Sequence, residues 1–370
     1  MFERGRDVKR YQGLRQPVSP DWQGLLDVIG RKGTPDRVYH MELFQDVPVR
    51  EAIADWFGLT EELDRADPWF EEKKTIAVHR FCGFDFVRGY LEGMTVDLRK
   101  IVTADTAELK KPGGRSYQDE HVGPITDWES FERFEWPDPS SPSATRRLEW
   151  LQENLPDDMC IVSGSMSHFC EWLTWLMGYE NFCYALYDRR DLVVALAEKI
   201  FEIYDAALDR YLEFDRVKII FASDDMGYKS GLLFSKDEMV EFVLQYHTRI
   251  AKKSHAAGRL YLLHSCGNLN EIYDYLLDTT GIDGKHSFED TIEDVRSLKG
   301  TIGSRTALLG GIDVDFLCRA DAEAIRERVR ETLDVCQPGG GYCLGTGNSV
   351  ANYIPLENYL AMLDEGRLYL

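Results

Sequence analysis

The stretch Arg259-Leu260-Tyr261-Leu262-Leu263-His264-Ser265-Cys266-Gly267-Asn268 ends an apolar run of strand length in two reactive side chains. Residues two apart on a strand point the same way, so the His264 imidazole and the Cys266 thiol can face one point. Both are ligands for zinc or another borderline metal. Reactive side chains at the exit of a buried strand are the usual layout of an α/β active site. The plainer alternative is a buried cysteine beside a satisfied histidine.

Other apolar runs end in the same way. Ser223-Asp224-Asp225-Met226-Gly227 follows one, Lys285-His286 lies inside another, Gly310-Gly311-Ile312-Asp313 follows a third, and Cys343 leads into Gly345-Thr346-Gly347-Asn348-Ser349. One acidic strand end is commonly a helix cap; five polar strand ends in succession are harder to read as caps alone. A catalytic zinc keeps three protein ligands and an open position. Cys343 completes such a set with His264 and Cys266 if it points inward. Otherwise Asp224, Asp225 or Asp313 serves as an oxygen ligand or as a proton donor. Asp224 and Asp225 point opposite ways on a strand, which argues against a close carboxylate pair, and Asp225 is preferred of the two. The run Gly339-Gly340-Gly341 precedes its strand and lacks the Lys-Ser/Thr of a P-loop, so it reads as a loop.

Strands and helices that would carry these residues alternate from about Asp157 onward. The strands are expected at 159–163, 217–222, 260–264, 284–288, 306–310 and 341–344. Helices fit between them, at roughly 168–178, 189–210, 237–256, 269–279, 290–301, 321–336 and 356–365. Asp191 to Tyr211, for example, repeats Leu192, Ala195, Leu196, Ile200, Ile203, Tyr204 and Leu208 at close to helical period. Such alternation predicts a parallel sheet with right-handed crossovers. Met94 to Leu98 and the region His79 to Val87 supply room for two further strands. The expected fold is α/β, a (β/α)8 TIM barrel over 51–370, with residues 1–50 as an N-terminal extension packed on it. An inserted excursion near the barrel mouth is expected at about 107–144, where Trp128 to Trp136 is too polar for a core element and too aromatic for a free loop. No GxGxxG follows the first strand of a βαβ unit, which disfavours a dinucleotide-binding sheet.

Bulk properties narrow the partners. Sixty-four acidic residues against 43 basic ones leave a formal charge of -21 over 370 residues. No basic patch offsets this charge, so nucleic acid and anionic membrane are not expected as partners. The start of the chain, Met1 to Asp7, has no apolar core of a signal peptide, and no run approaches a membrane span. Eight scattered cysteines fit a cytoplasmic protein with reduced thiols.

Five segments in order resemble the uroporphyrinogen decarboxylase superfamily, and more its cobalamin-linked methyltransferase branch than the enzymes of haem synthesis. They are Asp224-Asp225-Met226-Gly227 with Gly231 to Ser235, His264 to Asn268, Leu309 to Asp313, Gly339 to Tyr342, and Pro355 to Met362. The resemblance implies a (β/α)8 barrel with its site at the C-terminal mouth, and zinc held by the pair matching His264 and Cys266. The branch takes its third ligand from a cysteine shortly before the Pro-x-Glu-Asn segment. That place falls near Asn348 here, with Cys343 five residues earlier. The closer fit is to corrinoid-dependent O-demethylase-like members, some of which have altered metal ligands. Such an enzyme moves a methyl group between a small methyl ether or methylamine and a corrinoid carried by a separate protein. Zinc, or Asp225 as general acid, would stabilise the leaving oxygen, with Asp224, His264, Asp313 and Asn348 around it. The runner-up is decarboxylation of a tetrapyrrole or related carboxylate, although the Arg-Gln-Ala-Gly-Arg motif of the namesake enzyme is absent. A third reading is a non-catalytic barrel that binds a corrinoid or small ligand.

Overall fold

All six apolar runs read as strands after residue 157 are strands in the computed structural model, which describes residues 10–369 except 97, 112, 120 and 165. They are Cys160–Ser163, Val217–Ser223, Leu260–His264, Gly284–His286, Ala307–Leu309 and Tyr342–Cys343, and Phe86–Gly89 precedes them. The seven pair in parallel, each with its neighbour in the chain. Nearly every residue of these strands is buried. Burial on both faces is why they read as unbroken apolar runs rather than as alternating ones. Phe221 and Leu262 are fully buried, and each such side chain contributes about 1.5–3 kcal/mol.

Strand order that never reverses sends every crossover the same way, so the helices lie on one face and the sheet curls. A doubly wound sheet would reverse at a switch point. The expected barrel is therefore found in a coarser form, a curled parallel sheet of seven strands of the TIM-barrel-like kind. Residues 38–45, expected in an N-terminal extension, run beside the last strand: His40 bridges Leu344 and Gln45 bridges Val350. No ladder among the described residues joins them to Phe86–Gly89. Both edges of that seam instead line a cavity.

Upstream expectations fare less well. Helix Phe70–Cys82 fills the start of the region His79 to Val87, and the strand begins at Phe86. Met94, Thr95, Val96 and Leu98 are not in a strand, and Asp97 lies outside the described residues, as does the stretch Met1 to Asp7 searched for a signal peptide. The excursion has structure of its own. Lys100–Thr103 pairs antiparallel with Arg115–Gln118, and the aromatic run forms helix Trp128–Arg133 with an Asp127–Ser130 capping box. Phe134 packs on Trp136 at 4.7 Å between ring centroids, while Trp128 is exposed. Among the described residues, no helix is long and apolar enough to cross a membrane.

Candidate functional site

Strands Val217–Ser223 and Leu260–His264 pair with Ser223 beside His264, so Asp224-Asp225 and Ser265-Cys266 leave the sheet side by side. Two glycines hold the turns together. Gly267 has a φ of 85°, and a Cβ there would stand 2.1 Å from the backbone of Gly227. Only glycine permits that approach. Asn268 N–H then donates to the Tyr228 carbonyl at 2.8 Å, and Cys266 N–H donates to Asp225 Oδ1 at 2.9 Å.

The result is a cluster of three different donor types. Ligand atoms of Asp225, His264 and Cys266 all lie within 4.8 Å of one another. His264 Nε2 is 3.5 Å from Asp225 Oδ1 and 3.6 Å from Cys266 Sγ. Zinc bond lengths of about 2.0–2.3 Å at tetrahedral angles require N···O and N···S edges of about 3.4 and 3.6 Å. The spacing thus fits a cation, with an oxygen, a nitrogen and a sulfur as its protein ligands.

Surrounding groups tune each ligand. His264 Nδ1 lies 2.7 Å from His286 Nδ1. A cation on Nε2 leaves the His264 proton on Nδ1, from which it donates to His286, the outer hydrogen bond that metal-bound histidines usually make. Burial, with His264 and Lys285 beside it, holds His286 well below the usual histidine range, so it is neutral and able to accept. Burial and the Asp225 carboxylate push the Cys266 thiol up. Ser287 Oγ and Asn348 Nδ2 donate toward its sulfur at 3.6 and 3.3 Å, contacts that favour a thiolate. Asp225 is 42% exposed. Desolvation opposes its ionisation, but His264 and the Cys266 N–H outweigh that and hold it well below the usual carboxylate range. An ionised carboxylate suits a ligand, whereas the general-acid role expected of this residue needs its protonated form.

Other expected site residues are placed elsewhere. Asp224 is fully buried and faces away from Asp225. It accepts from Cys170 N–H at 2.9 Å and Glu171 N–H at 3.0 Å, and His247 Nε2 lies 2.9 Å away. It anchors helix Phe169–Met177. Asp313 caps helix Val314–Arg319, taking Phe316 N–H at 2.9 Å and Asp290 N–H at 2.9 Å. Cys343 is no part of the cluster: its buried thiol has Asp85 and Arg37 as charged neighbours, and burial raises it. Asn348, at the place where the resemblance puts a third thiolate, instead turns its amide to Cys266.

Sequence reading missed His168 and Glu171. They follow strand Cys160–Ser163, so the rule that drew attention to the other strand ends also reaches them. His168 Nδ1 lies 2.5 Å from Glu171 Oε2. Burial disfavours the imidazolium, yet Glu171 outweighs it and raises His168, while burial raises Glu171 against the pull of His168. His168 lines a 670 Å³ cavity with Trp172, Trp175 and Tyr204. Lys285, also buried, is pushed down to about 8 by desolvation and donates to the Ser287 carbonyl.

Residues 116–369 match the family model for uroporphyrinogen decarboxylase (URO-D). A methyltransferase from Methanosarcina mazei superposes with a TM-score of 0.62 at 20% identity, over 94% of this chain and 98% of that one. A candidate vitamin-B12-independent methionine synthase from Listeria monocytogenes reaches 0.46 at 13% identity, over 90% and 96%. None of the curated proteins compared matches the chain.

Proposed function

The chain belongs to the uroporphyrinogen decarboxylase family, and on that premise we propose that it is a methyltransferase acting between a small methylated donor and a corrinoid protein. The observation that carries this reading is the Asp225–His264–Cys266 cluster at ligand spacing. A metal-free decarboxylase has no need of a soft sulfur ligand held beside an imidazole and a carboxylate. Zinc bound there would polarise the heteroatom that carries the methyl group. The corrinoid on the partner would supply the nucleophile that takes it.

The chain's own side chains have separable tasks. His286 fixes the ring plane of His264, and Ser287 with Asn348 stabilises charge on the Cys266 sulfur. The donor heteroatom keeps the electron pair of the broken carbon bond and needs a proton. His168, whose imidazolium Glu171 favours, stands on the wall of the large cavity and is the proton donor in this reading. The cavity, at 670 Å³, has the volume of a small-molecule site.

The test is an assay of the zinc-loaded chain with reduced corrinoid and a panel of methyl ethers and methylamines, following corrinoid absorbance. Turnover with at least one donor, lost in Cys266→Ser, is expected. No absorbance change across the panel, with decarboxylation of a porphyrinogen by the same preparation, would hand the site to the decarboxylase reading.

A further inference from the structure

In a chain with so large an acidic excess, a gathering of buried cations with so few counter-charges needs a reason. Arg50 of helix Val47–Phe57, Arg88 of strand Phe86–Gly89 and Arg147 of helix Arg146–Asn154 line one cavity at the open seam of the sheet. Arg88 is 5% exposed, and none of its three guanidinium nitrogens has a hydrogen-bond partner. Its flanking groups are the Phe221 ring, 4.6 Å from the guanidinium carbon, and the phenols of Tyr90 and Tyr211. The Arg50 guanidinium makes no hydrogen bond or ion pair to a described residue. Arg147 reaches Glu72 at 3.8 Å and stands 5.4 Å from the centre of the Tyr90 ring.

Burying a guanidinium without a close counter-charge costs several kcal/mol by general experience, and for Arg88 the protein offers only the Phe221 ring and the phenols of Tyr90 and Tyr211. Glu42 is the one carboxyl on the cavity wall. It is committed to Thr346, whose N–H and Oγ1 lie 3.0 and 2.6 Å from its oxygens, and burial pushes it up to about 8. His79, on the same wall, is neutral because burial lowers it to about 4. The cavity thus presents three positive charges and almost no negative one near neutral pH.

Its shape says what fits. The seam cavity is only about 20 Å³, room for one or two water-sized atoms such as the oxygens of a carboxylate. Tyr90 and Arg147 also line the 670 Å³ cavity, whose walls carry Trp172, Trp175 and Tyr204. An anion seated between the arginines can continue as an apolar body there. A planar carboxylate is the smallest anionic group that guanidinium forks engage two bonds at a time. The link to the metal-type cluster is short: the Phe221 ring under Arg88 lies 6.2 Å from that of His286, which bonds His264.

We propose that Arg50, Arg88 and Arg147 form a carboxylate-binding subsite, so that the small molecule handled here is an organic carboxylate with its apolar body in the adjoining cavity. These arginines lie outside any Arg-Gln-Ala-Gly-Arg motif, which the chain lacks. The inference rests on the methyl-transfer reading only where it names that ligand as the substrate.

Binding is measured on the full chain without corrinoid, by calorimetry and by tryptophan fluorescence, since Trp172 and Trp175 line the larger cavity. The probes are benzoate, its neutral isostere benzamide, and inorganic phosphate at matched ionic strength. Benzoate should bind at least about tenfold more tightly than benzamide, and phosphate should not compete at equal concentration. Arg88→Met should weaken benzoate at least about tenfold, leave benzamide unchanged, and keep or raise the melting temperature, because it removes an unpaired buried charge. Should that variant not fold, Arg147→Gln, nearer the surface, takes its place with the same expected loss of discrimination. Equal affinity for benzoate and benzamide, wild-type benzoate affinity in the arginine variant, or no binding of either probe would overturn the subsite. Phosphate competing as well as benzoate would overturn the carboxylate assignment. Discriminating benzoate binding in a chain that fails every corrinoid assay keeps the subsite and removes methyl transfer; the reverse result removes the subsite alone.

Discussion

Asp224 and Asp225 are neighbours in the chain and belong to two different regions of the molecule. Asp224 points under the sheet end, where two backbone N–H groups and His247 use its acceptor capacity and no solvent reaches it. Asp225 points into the mouth, half-exposed, against a thiol and an imidazole. Side chains of a strand alternate between faces, so a single step along the backbone separates a structural anchor from a candidate ligand. Residue type alone says nothing about which is which; the partners do.

The largest effect should come from breaking the anchor. Asp224→Ala strips a buried histidine and two N–H groups of their acceptor, a loss of roughly 3–5 kcal/mol. Asp225→Ala should change stability by less than about 1 kcal/mol, since its carboxylate is partly in water. Urea denaturation of both variants measures the difference. Similar losses in the two would erase the distinction between the regions.

Metal content sharpens the same comparison from the other side. Cys266→Ser replaces a soft ligand with a hard one and should weaken zinc at least about a hundredfold, roughly 2.7 kcal/mol. Asp225→Ala should weaken it as well. Asn348→Ala, which removes a donor to the sulfur and leaves the ligands in place, should cost about tenfold. Unchanged stoichiometric zinc in Cys266→Ser would remove the cluster as a metal site.

How far these regions were legible follows from their physics. Six of the seven sheet strands could be read because burial on both faces makes them continuous apolar runs between helical periods. The seventh, Phe86–Gly89, was hidden because His79 to Cys82 belongs to the helix before it. Parity along the strand placed Asp224 and Asp225 on opposite sides, as they are found. Cys343 misled because its strand is two residues long, too short to show which face it presents. Asp313 has the common fate of an acidic strand end, a helix cap. The arginine cavity left no local signature: its members come from two helices and a strand, with no shared motif. His168 was readable in principle, by the rule already applied to the other strand ends.

Acid separates the regions next. The Cys266 thiol is raised, so a cation must displace its proton, and zinc affinity should fall roughly tenfold per unit as pH drops from 8 to 6. The fold responds lower down. His40 and His79 are held by burial at about 3 and about 4, below the unfolded value of about 6.5, so the unfolded chain binds more protons in that window. Their contribution is complete above pH 6.5 and lost as pH falls toward 4, up to about 1.4 kcal/mol per group and unit. Chelator competition and urea melts on the same pH series should therefore give two transitions, metal loss first. A single coincident transition would show that the cluster holds the fold together.

A smaller change than at Asp224 belongs to Asp313, the third aspartate at a strand end. Its Oδ1 takes the Phe316 N–H of the helix it caps, and its Oδ2 takes the N–H of Asp290. Asp313→Ala loses a cap and one loop bond, about 1–2 kcal/mol together. Asp313→Asn keeps an acceptor for the helix and should recover about half. Neither change should alter zinc content, because no atom of Asp313 belongs to the metal-type cluster. The pattern is the reverse of that expected for Asp225, where zinc falls and stability holds. Zinc loss in Asp313→Asn, with the fold intact, would bring this residue back to the mouth as a ligand and undo the assignment of strand-end aspartates by their partners.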